Sequence, residues 1–330
     1  MTLHLIQRAL RALATVALAA APLLGHAQDT GSWPNKAVRF VIPYPPGGLA
    51  DAFARALAEG LADRLKQPVI VDNKPGGSLI IGTDIVAKSP PDGYTILLGS
   101  VSSLGINATA FKKLPYDPVK DFAPVSIAFR TPLFLMVSPA LPVNSVKELV
   151  AYGKANPAAL SYASLGHGSS LHLSGELFKT LGGLEIQHVP YKGTTTAFPD
   201  LMTGRVSMMF DGGALLPQAR EGKVKMLAVT SAKRLATMPE LPTMAKSGVP
   251  GYEVDFRFGI AAPAGTPAPI VERLAREIAE VEKQPGFRTR LSSFSQLHLE
   301  TSTPAAMAEV LKKDLAYWAK LLRDYKVEPQ

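Results

Sequence analysis

The chain has 330 residues, with 35 basic against 27 acidic side chains, a net charge of +8, 47% hydrophobic residues and no cysteine. That length suits about two domains of roughly 150 residues each, and the apolar content excludes a disordered chain. Without cysteine there is no disulfide framework, no thiolate-ligated zinc or iron–sulfur site and no thiol nucleophile.

Arg8 and Arg11 precede an apolar stretch, Ala12 to Leu24, which ends in Gly25-His26-Ala27 before a polar run. This is the pattern of a cleavable signal peptide over residues 1–27. Its roughly 13 apolar residues fall short of the roughly 20 that span a bilayer, so a leader is expected rather than an anchor. Removing it takes away two arginines and no acid, which leaves +6. The remaining basic residues are scattered, with pairs such as Lys112-Lys113 and Lys312-Lys313 as the densest runs. A nucleic-acid protein concentrates them in a stripe, so no nucleic-acid partner is expected, only a mild attraction for anions.

Beyond the leader, short apolar runs alternate with segments of helical period, the pattern of an α/β protein with parallel strands. Val38–Tyr44 reads as a strand, Asp51–Leu65 as a helix, Pro68–Asp72 as a strand, Ile80–Lys88 as a helix and Tyr94–Gly99 as a strand. The pattern restarts after Pro132. Strands are expected at Leu133–Ser138, Leu160–Ala163, Ile186–Val189, Val206–Phe210 and Val224–Val229. Helices are expected at Ser145–Ala155, with Ser145 as cap and Glu148 at the capping-box position, and at Leu171–Leu181 and Ala197–Thr203. The chain is extended again near Tyr252–Ile260 and closes with helices Pro269–Lys283 and Pro304–Tyr325, each opening on a proline that fits a first helical turn. Extended segments around Ala128–Pro132 and Val254–Gly259 divide a lobe built from both chain ends from a middle lobe, with a ligand cleft between them.

Three loops at strand ends carry the chemistry. Pro43-Tyr44-Pro45-Pro46-Gly47-Gly48-Leu49-Ala50-Asp51 joins a strand to a helix, and its glycines let backbone N–H groups approach an anion at the positive end of the helix dipole. Asp51 is read as a helix cap or as a partner for a ligand donor. Gly99-Ser100-Val101-Ser102-Ser103 and Ser164-Leu165-Gly166-His167-Gly168-Ser169-Ser170 repeat the small-residue design where open α/β sheets bind ligands. Nucleotide motifs fail: Thr83 stands where a P-loop needs lysine, and Leu171 where a dinucleotide fingerprint needs its third glycine. Ser169 or Ser170 with His172 would be a hydrolase nucleophile and base, yet no Gly-x-Ser-x-Gly elbow exists. His167, His172 and Glu176 match no zinc spacing, so neither metal nor cofactor is expected.

The runs VIPYPPGGLADAFARALAEGL, VIVDNKPGG, PPDGYTILLG, LSYASLGHGSSLHLSGELF, HVPYKGTTTAFPDLMTGRVSMMFD and APAGTP, in order over nearly the whole mature chain, resemble the Bug family of periplasmic receptors of tripartite tricarboxylate transporters. The resemblance implies a type II periplasmic-binding-protein fold: residues 28–129 with 257–330 as one lobe and 130–256 as the other, joined by two extended crossovers. It implies a monomeric, non-catalytic receptor that takes a small organic di- or tricarboxylate, with an apolar or aromatic spacer, to membrane permease subunits or, alternatively, to a sensor kinase. It places Tyr44, Pro45, Gly47, Gly48 and Asp51 on one wall of the cleft and Ser164, Gly166, His167, Gly168 and Ser169 on the other, with Ser100, Ser102, Tyr191, Lys192 and Asp211 beside them. Phe256-Arg257-Phe258 departs from the family's usual tryptophan at this point, and Arg257 is expected to face the cleft as a second carboxylate anchor, with Arg130 as its substitute.

Overall fold

The computed structural model describes residues 33–294, 296–324 and 328–329; the expected signal peptide lies outside them. From Pro34 on, the chain builds two sheets. The elements of the first half are β1 (Val38–Ile42), α1 (Leu49–Leu65), β2 (Val69–Asn73), α2 (Ile80–Ala87), β3 (Thr95–Ser100), α3 (Asn107–Ala110) and β4 (Phe122–Pro132). Then come β5 (Phe134–Val137), α4 (Val146–Ala155), β6 (Leu160–Ser164), α5 (Ser170–Gly182), β7 (Ile186–Pro190), α6 (Thr194–Thr203), β8 (Met208–Asp211), α7 (Leu216–Arg220) and β9 (Lys225–Val229). The chain ends with β10 (Asp255–Pro263), α8 (Ala268–Glu282), α9 (Pro285–Arg290), β11 (His298–Leu299) and α10 (Pro304–Asp324).

One sheet has the order β11-β4-β10-β3-β1-β2 and the other β7-β6-β8-β5-β9. In the first, β1 lies parallel to β2 and β3, while β10 runs antiparallel to β3 and β4. In the second, β6 is parallel to β7 and β8, and β5 is antiparallel to β8 and β9. The parallel pairs with their crossover helices are the units that the alternating pattern predicts. Each lobe has an aromatic core, with Phe53 on Phe129 at 4.6 Å in one and Phe210 on Tyr252 at 5.8 Å in the other.

The two crossovers are strands, and they pair with each other from Asp255↔Pro132 to Pro263↔Phe122. Where they enter the second lobe, the Thr230 hydroxyl ties them together: it accepts the Leu133 N–H at 2.8 Å and donates to the Val254 carbonyl at 2.8 Å. This is the two-lobe, two-crossover arrangement of a type II periplasmic binding protein.

The differences from the expected elements have local causes. β4 is eleven residues long and reaches back to Phe122, a length the sequence hides because Pro124 and Ser126 interrupt its apolar run. α1 begins at Leu49, so Gly48 holds the cap position and Asp51 sits inside the first turn. Ser145 caps α4 by accepting the Glu148 N–H at 3.1 Å, but the Glu148 carboxylate reaches one residue past the capping-box partner, to the Asn144 N–H at 2.7 Å.

At the carboxyl end of α8, Glu282 is buried and takes a hydrogen bond from the Thr301 hydroxyl. Burial pushes its carboxyl up to about 7, which favours the protonated form. Its contribution to stability is therefore full below about pH 4.5 and is lost as pH rises through 7. Measured against wild type by urea denaturation, Glu282→Gln should gain about 3 kcal/mol of relative stability between about pH 4.5 and pH 8. A pH-independent difference would remove Glu282 as the cause.

Candidate functional site

The first wall of the cleft is the turn from β1 into α1. Gly47 has φ +89°, a conformation that a Cβ disfavours. Asp51 braces the turn: one oxygen accepts the Gly47 N–H at 3.0 Å and the Arg55 guanidinium at 3.0 Å, and the other accepts the Asn73 amide at 2.9 Å. Burial works to raise this carboxyl, yet the Arg55, Gly47 and Asn73 bonds outweigh it and hold it below the usual range. Asn73 also donates to the Tyr44 carbonyl at 3.1 Å, and the Tyr44 hydroxyl donates to Ser100 Oγ at 2.8 Å. The first bond inside α1 runs from the Ala52 N–H to the Gly48 carbonyl at 3.0 Å, which leaves the N–H groups of Leu49 and Ala50 without partners in the helix.

The second wall comes from the other lobe. Ser169 caps α5: its hydroxyl accepts the His172 N–H at 3.2 Å and donates to the Gly166 carbonyl at 2.7 Å. His172 Nδ1 accepts the Gly168 N–H at 3.3 Å, so serine and imidazole are each committed elsewhere and form no nucleophile–base pair. Behind this loop His167, His172 and His188 stack at 4.6 and 4.5 Å between ring centres. Burial, with like-charged neighbours, pushes His172 down to about 3 and His188 down to about 4, and burial also lowers His167, so these tilted rings are neutral at ordinary pH. Next to α5, α6 begins after Gly193, whose carbonyl accepts the Thr196 and Ala197 N–H groups; those of Thr194 and Thr195 have no partner inside the helix.

Between the walls lies a cavity of about 660 Å³, counted out to its mouth. Leu49 and Ala50 of α1, Ser170 and Leu171 of α5 and Thr194 and Thr195 of α6 all line it, so three helix N-termini converge there. Among the described residues no lysine or arginine lines it, and Asp211 is its one charged residue. Leu133, Phe256 and Phe258 supply an apolar face. The arrangement suits an anion held by backbone donors and helix dipoles, with an apolar body beside them.

Of the residues expected from sequence, the cavity brings together Tyr44, Pro45, Gly48 and Asp211. Gly47, Asp51 and Ser100 stand behind that lining as its supports. Ser164 turns away to His188 at 2.6 Å, and Ser169 is occupied as a cap. Ser102, Gly166 and Gly168 make contacts between the lobes. Ser102 Oγ accepts the Ser170 N–H at 2.9 Å, a Cβ on Gly166 would stand 2.7 Å from Ser78 Oγ, and one on Gly168 would stand 2.8 Å from Ala110. His167, Tyr191 and Lys192 line a neighbouring cavity that shares only Leu165 with the first.

The expectation for Arg257 is overturned. Strand alternation points Phe256 and Phe258 into the cavity and Arg257 away from it, where Nη1 meets Asp314 of α10 at 2.8 Å. Arg130, its neighbour in register, lies near Asp255 at 3.6 Å and Glu300 at 3.5 Å. Thr131, Leu133, Leu171, Thr194 and Thr195 are lining residues that the sequence reading missed. For Thr194 and Thr195 the available signal was Gly193, a helix-start residue ahead of a polar first turn that apolar periodicity passes over.

Two substitutions separate these roles. A Cβ on Gly48 meets nothing within 4 Å, and its φ is −90°, so Gly48→Val should hardly change the melting temperature. It should weaken the bound anion about tenfold or more by screening the α1 donors; unchanged affinity in calorimetry would exclude those donors. Arg257→Ala should leave the preference between mono- and dicarboxylates as it is and cost about 1–2 kcal/mol of stability by stranding Asp314, after allowance for solvent screening. Lost dicarboxylate preference would restore Arg257 to the site.

Comparison with known proteins agrees with this geometry. Residues 53–325 match the family described as tripartite tricarboxylate transporter family receptor. Among solved structures, Rpa4515 of R. palustris, solved with adipate, is 37% identical with a TM-score of 0.86, over 90% of this chain and 100% of that one. The periplasmic binding protein BugD is 35% identical with a TM-score of 0.85, over the same shares. MatC of Rhodopseudomonas palustris, with bound malate, is 30% identical with a TM-score of 0.83, again over 90% and 100%. The chain therefore belongs to the tripartite tricarboxylate transporter family of receptors, which are solute-binding proteins and not enzymes.

Proposed function

We propose that this protein is a periplasmic receptor that captures a small organic di- or tricarboxylate and delivers it, as a monomer, to the membrane permease of a tripartite-type transporter. The observation that carries the reading is the convergence of three helix N-termini on one cavity that has no basic side chain among the described residues. Carboxylate oxygens would take the N–H groups of Leu49 and Ala50 from one lobe and those of Leu171, Thr194 and Thr195 from the other. Tyr44, Phe256 and Phe258 would flank the spacer. Adipate in Rpa4515 and malate in MatC support the dicarboxylate class. The signal-peptide pattern of residues 1–27 supports export to the periplasm.

The lobes, 28–129 with 257–330 and 130–256, would hinge where both crossovers meet Thr230. A ligand touching both walls favours the closed form by the contacts that only closure provides. In a thermal-shift panel of mono-, di- and tricarboxylates, the right ligand at about 100 times its Kd should add about 2.7 kcal/mol of stability, and small-angle scattering should show compaction. A panel in which no carboxylate raises the melting temperature would defeat the carboxylate reading, and an unchanged radius with a ligand that does bind would defeat the hinge.

A further inference from the structure

The cavity gathers three helix N-termini, which suit an anion, yet among the described residues its one charged side chain is an acid. Asp211 ends β8 and is fully buried. Burial raises this carboxyl above its ordinary value, and the bonds its Oδ2 accepts from the Gly213 N–H at 2.7 Å and the Leu215 N–H at 2.9 Å oppose that shift without cancelling it. Its Oδ1 is buried with no hydrogen-bond partner of normal geometry, although the Thr194 hydroxyl and the Gly212 N–H stand beside the carboxylate. A buried carboxylate oxygen left without a donor is costly, and most such oxygens in folded proteins have one. Thr194 also lines the cavity, on the first turn of α6 whose N–H groups face the anion. Acceptor and donors thus lie within one cavity, a polarity that a plain dicarboxylate does not match.

Resting on the carboxylate reading above, we propose that Asp211, with Thr194, is a specificity-determining residue that selects carboxylates bearing a hydrogen-bond donor, a hydroxyl or an ammonium group, over unsubstituted dicarboxylates. A plain dicarboxylate would bring its negative charge into a cavity holding an unpaired acid. A hydroxy or amino acid of the same length would offer Oδ1 the donor it lacks while its carboxylates take the helix N-termini.

Calorimetry with two sets of isosteres tests this: succinate, L-malate and L-aspartate, and adipate with L-2-aminoadipate. A donor-bearing member should bind about tenfold or more tightly than its plain counterpart in at least one set, and malate against aspartate separates hydroxyl from ammonium. Asp211→Asn keeps an oxygen for the Gly213 and Leu215 N–H groups and turns Oδ1 into an amide donor, so it should invert the order in favour of the plain acid. If that variant melts early, Thr194→Val, which removes the hydroxyl beside Asp211 and leaves its Oδ1 more dependent on a donor from the ligand, should widen the preference instead. Equal binding, or tighter binding of the plain acids, would overturn the inference and leave the carboxylate reading standing. If no member of either set binds, this inference falls, and the thermal-shift panel of mono-, di- and tricarboxylates separately decides the carboxylate reading.

Discussion

An α-helix opens with backbone N–H groups that it cannot satisfy itself, and the architecture of this protein follows from directing three such openings at one point. Each belongs to a helix that follows the carboxyl end of a parallel strand. The ends of β1, β6 and β7 thereby set where α1, α5 and α6 begin. Because β1 lies in one sheet and β6 and β7 in the other, the donors meet only across a cleft. A lysine or arginine would bind an anion from any of several rotamers, whereas a peptide N–H is fixed by the fold and costs no side-chain entropy to hold in place. The site is as rigid as its two sheets.

That rigidity accounts for how much side-chain chemistry stands behind the cavity and how little stands in it. Asp51 and Asn73 hold the proline-glycine turn, Ser169 holds the start of α5, and three neutral imidazoles fill the space behind the opposite loop. Glycine serves two purposes here. At Gly47 it permits a positive φ, and at Gly166 and Gly168 it also lets the backbone of one lobe approach side chains of the other.

Features carried by neighbouring residues were legible in the sequence: the βαβ rhythm, the three small-residue loops, the capping by Ser145 and the two crossovers. Features settled by distant partners were not. Asp51 reads as a cap or a ligand contact until Asn73, 22 positions on, is seen to take its second oxygen. Arg257 reads as a cleft cation until Asp314, 57 positions on, is seen opposite it. Alternation along β10 states that Arg257 and the flanking phenylalanines face opposite ways, but which side is the cleft depends on where α10 packs. The residues lining the second wall were misplaced by a few positions for a similar reason. A glycine-serine loop announces a close approach without saying whether a ligand or the other lobe makes it.

Some of the hydrogen bonds between the lobes involve no ligand at all. Besides Ser102 to Ser170, the Gln296 amide of one lobe donates to the Gly212 carbonyl of the other at 2.7 Å. On the proposed hinge such bonds would exist only in the closed form, so they would add the same increment to the binding of every solute that permits closure, whatever its chemistry. Retention time in the cleft would then be set partly by side chains that never meet the solute. Substitutions at Ser102 and Gln296 would then lengthen or shorten that time while leaving the choice of solute to the cavity, and release would require these bonds to break as well as those to the solute.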